Sequence, residues 1–189
     1  MENEIQDYPT VDSITTEPLE NLVEMYYQLN GYITSTNKWF WVYESSKKQR
    51  GYKDIDILAI KGNETLIISV TTNLDDKVGN ANKIEELKKY FDSIKSYLEK
   101  VKEYSWLVEE NGRTIKKIVA YAYGYKEKKE GEIKKELEKD KIDLLSVKDI
   151  MKEIKTKINK MHTNGLKTNN SLVKMIQIWI EYSKKQQKR

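Results

Sequence analysis

The stretch DIDILAIKGNETLIISVTT, from Asp54 to Thr72, constrains the fold more than any other part of the chain. Two runs rich in isoleucine, leucine and threonine flank the turn-forming tetrapeptide KGNE. That pattern predicts a hairpin, with strands over Asp54 to Lys61 and Thr65 to Asn73. Strand side chains alternate between faces, so Asp54, Asp56 and Leu58 are expected on one face of the first strand. Ser69, Thr71 and Asn73 are expected on one face of the second. Closing the hairpin brings Asp56 toward Ser69 and Thr71. Two carboxylates beside a strand face suggest a cation site, but two hydroxyls do not complete one.

The rest of the chain supplies helices to cover such a hairpin. Leu19, Leu22, Val23, Tyr26 and Leu29 recur at helical spacing, with Thr16 as the expected cap, Pro18 in the first turn and Gly31 at the end. YITSTNKWFWVYE reads as one long strand or two short ones. From Asn80 to about Lys102, the residues Ile84, Leu87, Phe91, Ile94, Leu98 and Val101 form a continuous helical stripe. IKKIVAYAYG is a buried strand, KEKKEGEIKKELEKDK a charged exposed helix, IDLLSV a short strand, and Val147 opens another helix. HTNGLKTNN is expected to be a loop before a last helix from Ser171. The order predicts an α/β (α+β) domain, a mixed β-sheet flanked by helices. Residues 1–15 read as a loose lead-in, and 16–189 as a single domain.

Composition narrows the function. The 189 residues contain no cysteine, which excludes disulfides, thiolate metal sites and a cysteine nucleophile. The acidic, polar start lacks the pattern of a signal peptide, and no apolar run approaches the roughly 20 residues that span a bilayer. The expectation is a cytoplasmic protein without a membrane partner. Net charge is +4, and of 34 basic residues only Arg50, Arg113 and Arg189 are arginines. Lysine charge of this kind suits a nucleic-acid backbone better than base reading. Its plain alternative is a solvated lysine surface matched by glutamates.

Around the hairpin the sequence resembles the PD-(D/E)XK nuclease superfamily, which includes archaeal Holliday-junction resolvases and many restriction enzymes. LENLVEMYYQLNGYIT is similar to the first helix and strand of that core, with Glu20 eleven residues before Gly31. DIDILAIKGNETLIISVTT is similar to its hairpin, with Asp56 on the family's aspartate. Ser69 and Thr71 fall where the family carries Glu and Lys. The resemblance implies a restriction-endonuclease-like core, a hydrolase site at Glu20, Asp56, Ser69 and Thr71, Mg²⁺ held by Asp56, Asp54 and Glu20, and DNA as partner. It also carries a contradiction. A neutral hydroxyl replaces one carboxylate, and threonine cannot supply the positive charge of lysine.

Two explanations remain for the departure. Either the fold persists without its chemistry, which is the preferred reading, or the missing groups have moved, with Lys83, Lys88, Glu85 and Glu86 on the following helix as candidates. Lys47, Lys48, Arg50 and Lys53, in SSKKQRGYK, form the best nucleic-acid contact in the chain. Trp39, Trp41 and Tyr43 line one strand face, for stacking on bases or, more commonly, for packing or a homodimer surface. Each residue also has an ordinary reading: Asp54 and Asp56 as turn and strand-end residues, Glu20 as a surface glutamate, Ser69 and Thr71 as strand residues, and His162 as an incidental loop residue.

Overall fold

The computed structural model describes residues 17–43, 49–108, 112–163 and 171–186. The expected lead-in and the Thr16 cap lie outside them. The chain divides into two compact units, Met1–Ser146 and Val147–Arg189.

The first unit is built on a five-stranded mixed sheet in the order β1-β2-β3-β4-β5. The strands are β1 (Ile33–Tyr43), β2 (Gln49–Lys61), β3 (Glu64–Asn73), β4 (Thr114–Tyr123) and β5 (Ile142–Ser146). β1, β2 and β3 pair antiparallel, whereas β3, β4 and β5 pair parallel. The parallel pairs require crossovers, and helices supply them. α2 (Asp75–Val78) and α3 (Ala81–Lys100) join β3 to β4, and α4 (Glu127–Glu138) joins β4 to β5. α1 (Pro18–Leu29) precedes the sheet and touches β1, β2 and β3.

Helix α3 forms where the stripe predicts it. Asn80 caps it, its side-chain carbonyl accepting from the Lys83 amide at 3.0 Å. Leu87, Phe91, Ile94 and Leu98, spaced by four, three and four, are buried in one cluster with Phe40, Ile55, Leu58, Ile67 and Val119. α1 ends at Asn30 and is followed by Gly31 at φ 82°, a conformation glycine enters without steric cost. Its N-cap residue is Glu17, which makes no side-chain cap.

One irregularity shapes the site. β1 and β2 pass from Thr36 opposite Ile57 to Lys38 opposite Ile55. Asn37 therefore lies across from Asp56, and it has φ 50°, a conformation asparagine tolerates better than most residues. Ile55 and Leu58 pack in the same cluster while Ile57 between them does not. Strict alternation would forbid that, so the strand turns at Asp56.

The second unit comprises α5 (Val147–Thr163) and α6 (Ser171–Gln186), which touch each other. Ile150, Ile154 and Ile158 are buried on α5, and Val173, Ile176 and Ile180 on α6. His162, expected in a loop, has helical backbone in the last turn of α5. Neither His162 nor Thr163 forbids helix, and the stripe of α5 carries the helix past its last isoleucine.

Phe91 is fully buried at the centre of the α3 cluster. Phe91→Ala is expected to cost about 3–5 kcal/mol in urea unfolding, a large share of the roughly 5–15 kcal/mol available to a domain.

Candidate functional site

The site begins where β2 and β3 part. Their register runs from Lys61 opposite Glu64 to Ile57 opposite Ile68 and stops one residue short of Asp56 and Ser69. The Asp56 carboxylate fills that gap. Its Oδ2 accepts a hydrogen bond from the Val70 amide at 2.6 Å and another from the Ser69 hydroxyl at 3.2 Å. A side chain thus does what a ladder carbonyl does elsewhere in the sheet.

Thr71, by contrast, is not brought to Asp56. Its hydroxyl donates to the Asn73 carbonyl of its own strand at 3.0 Å. Ser69 is fully buried and Thr71 nearly so. The protein has closed around both hydroxyls, so a longer charged side chain at either position would lose its solvation.

Burial pushes the Asp56 carboxyl up to about 6. The Val70 amide and the Lys77 ammonium pull it down, and the nearby charges of Asp54 and Glu20 push it up further. Glu20 on α1 and Asp54 on β2 therefore act on the carboxylate that the sequence singled out. Both are close enough to repel the Asp56 carboxylate. Yet among the described residues no three Asp, Glu or His side chains gather to ligate a metal ion. Ser69 adds only a neutral oxygen, and Asp56 Oδ2 is already engaged twice. These residues do not fit a Mg²⁺ cage.

Two further residues complete the site. Tyr90 of α3 donates its hydroxyl to the Asp54 carbonyl at 3.1 Å. Burial, then the charges of Asp56, Asp54 and Glu20, raise its pKa and keep it a phenol. Lys53 of β2 and Lys77 of α2 each place Nζ 5.9 Å from the centre of the Tyr90 ring, at the outer limit of a cation–π contact. Two ammonium groups and a half-buried phenol thus border the acids.

The candidates Lys83 and Lys88 are engaged elsewhere. Lys83 Nζ donates to the Asp75 carbonyl at 2.8 Å. Lys88 Nζ lies 2.9 Å from Glu85 and 3.0 Å from Asp140. The lysine whose charge acts on Asp56 is Lys77, on a one-turn helix too short to carry a periodic signal. Its local signals are the Asn73 side chain accepting from the Asp75 amide at 3.1 Å, two aspartates in the first turn, and Gly79 after it. A Cβ at Gly79 would lie 2.6 Å from the Asp75 carbonyl oxygen, so the turn that aims Lys77 needs glycine there.

Of the basic stretch, Lys53 is exposed beside the site. Lys47 and Lys48 lie outside the described residues, and for Arg50 only the β2 backbone is described. Trp39 and Trp41 both set their rings edge-on to Tyr52, with centroids 5.2 Å apart in each case. Trp39 lies across from Asp54, and Trp41 across from Tyr52. Opposite residues of an antiparallel pair share a face, so this partly exposed aromatic group lies on the Asp54 face. The Tyr43 side chain is outside the described residues.

No family model matches the sequence, and no curated protein matches it. Two solved structures are similar in part, each 16% identical. A protein of unknown function, AF1548, has a TM-score of 0.43 over 71% of this chain and 64% of its own. The small subunit of the heterodimeric restriction endonuclease R.BspD6I has a TM-score of 0.37 over 87% and 80%. The chain thus spans less than two thirds of the first. At these scores the likeness says nothing about chemistry.

The raised Asp56 has a consequence for stability. An unfolded aspartate releases its proton near 3.8, whereas the folded one holds it to about 6. Between those values the native state binds more protons, so stability falls as pH rises, by about 3 kcal/mol in all. Asp56→Asn keeps a neutral acceptor for Val70. It should match the wild type near pH 4 and exceed it by about 2–3 kcal/mol at pH 8. Urea unfolding of both proteins between pH 4 and 8 checks this, and parallel pH profiles would refute it.

Proposed function

We propose that this chain binds nucleic acid, DNA in the first instance, at the end of the β2–β3 hairpin. On this reading it is a nuclease-like core whose phosphodiester-cleaving chemistry is lost or feeble. One observation carries the reading. Asp56 is half-buried, charged at neutral pH at a cost to stability, and bordered by Lys53 and Lys77. A carboxylate serving structure alone would be better replaced by asparagine, and costly perturbed carboxylates mark functional sites. The lysines supply backbone attraction. The hydroxyls at 69 and 71 supply neither the second carboxylate nor the cation that cleavage requires.

By sequence alone, Ser69→Glu with Thr71→Lys would put an acid and a base back. Burial of both positions argues otherwise. Two charges would enter a closed interior beside a carboxyl already pushed up by desolvation. The double variant is expected to lose about 2–5 kcal/mol of stability and to gain no cleavage. Comparing its melting temperature and DNA cleavage with those of the wild type tests this directly.

Lys77 favours a second reading, an active endonuclease whose cation comes from α2 instead of β3. Its ammonium is the positive charge that pulls on Asp56, and it could steady charge developing on a scissile phosphate. Losing one such group costs about 10²–10³ in rate. The two readings separate in one set of measurements. Under the preferred reading, wild type binds duplex DNA without sequence preference and leaves it uncut with Mg²⁺ or Mn²⁺. Replacing Lys47, Lys48, Arg50, Lys53 and Lys77 with alanine then weakens binding, and the salt slope of log K falls by about 0.9 for each phosphate that is no longer neutralised. Unchanged affinity and slope would remove the binding proposal. Robust wild-type cleavage, abolished by Asp56→Ala and by Lys77→Ala, would install the second reading.

A further inference from the structure

The second unit carries a feature that the nucleic-acid reading does not use. α6 has two apolar faces. Val173, Ile176 and Ile180 are buried. Met175, Ile178, Trp179 and Tyr182 are exposed, at 65%, 68%, 55% and 63%. Those four positions follow the spacing i, i+3, i+4, i+7, which places them in one stripe along the helix. A helix with one buried stripe needs no second one. Four large side chains this exposed present on the order of 500 Å² in one patch, the size at which such patches mark interaction sites.

The charges beside the stripe indicate what covers it. Lys174 and Glu181 are seven residues apart, hence on the same flank, both next to Ile178. In an antiparallel helix pair related by a two-fold axis, like flanks meet in reverse direction. With the axis near Ile178, Lys174 of one copy falls opposite Glu181 of the other, and the pairing occurs twice. The stripe is then self-complementary in both shape and charge, as a two-fold interface requires. A parallel arrangement would leave these residues level with their own kind.

We propose that α6 is a dimerisation helix, pairing antiparallel with α6 of a second copy of this chain through Met175, Ile178, Trp179 and Tyr182, with Lys174–Glu181 pairs setting its direction. The patch falls short of the roughly 800 Å² per partner of a standard interface, so the dimer is weak and concentration-dependent.

Sedimentation of the full chain from roughly 5 to 500 µM should show the monomer giving way to dimer. Ile178→Glu should leave a monomer at every concentration, with the circular dichroism and melting temperature of the wild-type monomer. Lys174→Glu and Glu181→Lys should each weaken association roughly three- to tenfold, and the double exchange should restore it. A wild type that stays monomeric overturns the proposal. So does an Ile178→Glu protein that still dimerises, or one whose monomer melts lower than wild type, which would mean that the stripe seats against its own chain. Single exchanges that do not recover in the double variant overturn the antiparallel direction, and with it the proposal.

Discussion

The hydrogen bond from the Val70 amide to Asp56 Oδ2 is the interaction on which the site depends. At that point β2 stops pairing with β3, while β3 continues beside β4 with Val70 opposite Ala120. A backbone amide left there without water would be costly, so a side chain must reach it. Only a short acceptor on the neighbouring strand has that reach. The carboxylate therefore holds the strands apart and satisfies the opening it makes. The same geometry draws it out of water, which raises its pKa, and gathers around it the residues whose charges it feels. Separation of strands, burial and electrostatics are here one arrangement seen three ways.

Much of this was legible in the chain. The alternating runs around KGNE located the hairpin, and the stripe from Leu87 to Leu98 located α3, because each pattern extends over enough residues to average out exceptions. The meeting of Asp56 with Ser69 followed from hairpin register alone. Alternation misled where the strand turns: it could not foresee that Asn37 would enter a left-handed conformation opposite Asp56, which shifts Ile55 into the cluster of Leu58. Nor could it show Thr71 bonding to Asn73 of its own strand. That choice is made by two competing acceptors a few ångströms apart, and spacing does not distinguish them.

Lys77 and Tyr90 were missed for different reasons. α2 is a single turn, below the length at which periodicity registers, and its lysine is one among many. Tyr90 sits inside the α3 pattern, where an aromatic reads as packing. It does pack, against Phe91, while its hydroxyl reaches across to Asp54. Conversely, Lys83 and Lys88 looked equally suitable in the sequence. The first holds the turn of α2 through the Asp75 carbonyl, and the second ties α3 to Asp140 beyond α4. Lysines in such a chain are sorted by what their ammonium groups reach, and only the folded arrangement decides that.

The kink at Asn37 has an effect beyond the site. Among the described residues β1 is an outer strand of the sheet, and an outer strand offers its unpaired amides and carbonyls to any other extended chain. A left-handed residue in the middle of that strand breaks the offer into two short pieces, and the lysine that follows it adds charge. A sheet bordered in this way resists growing strand by strand into aggregates. Such protection matters most for a chain that carries tryptophans on its outer strand, where a smooth, sticky margin would otherwise invite self-templating.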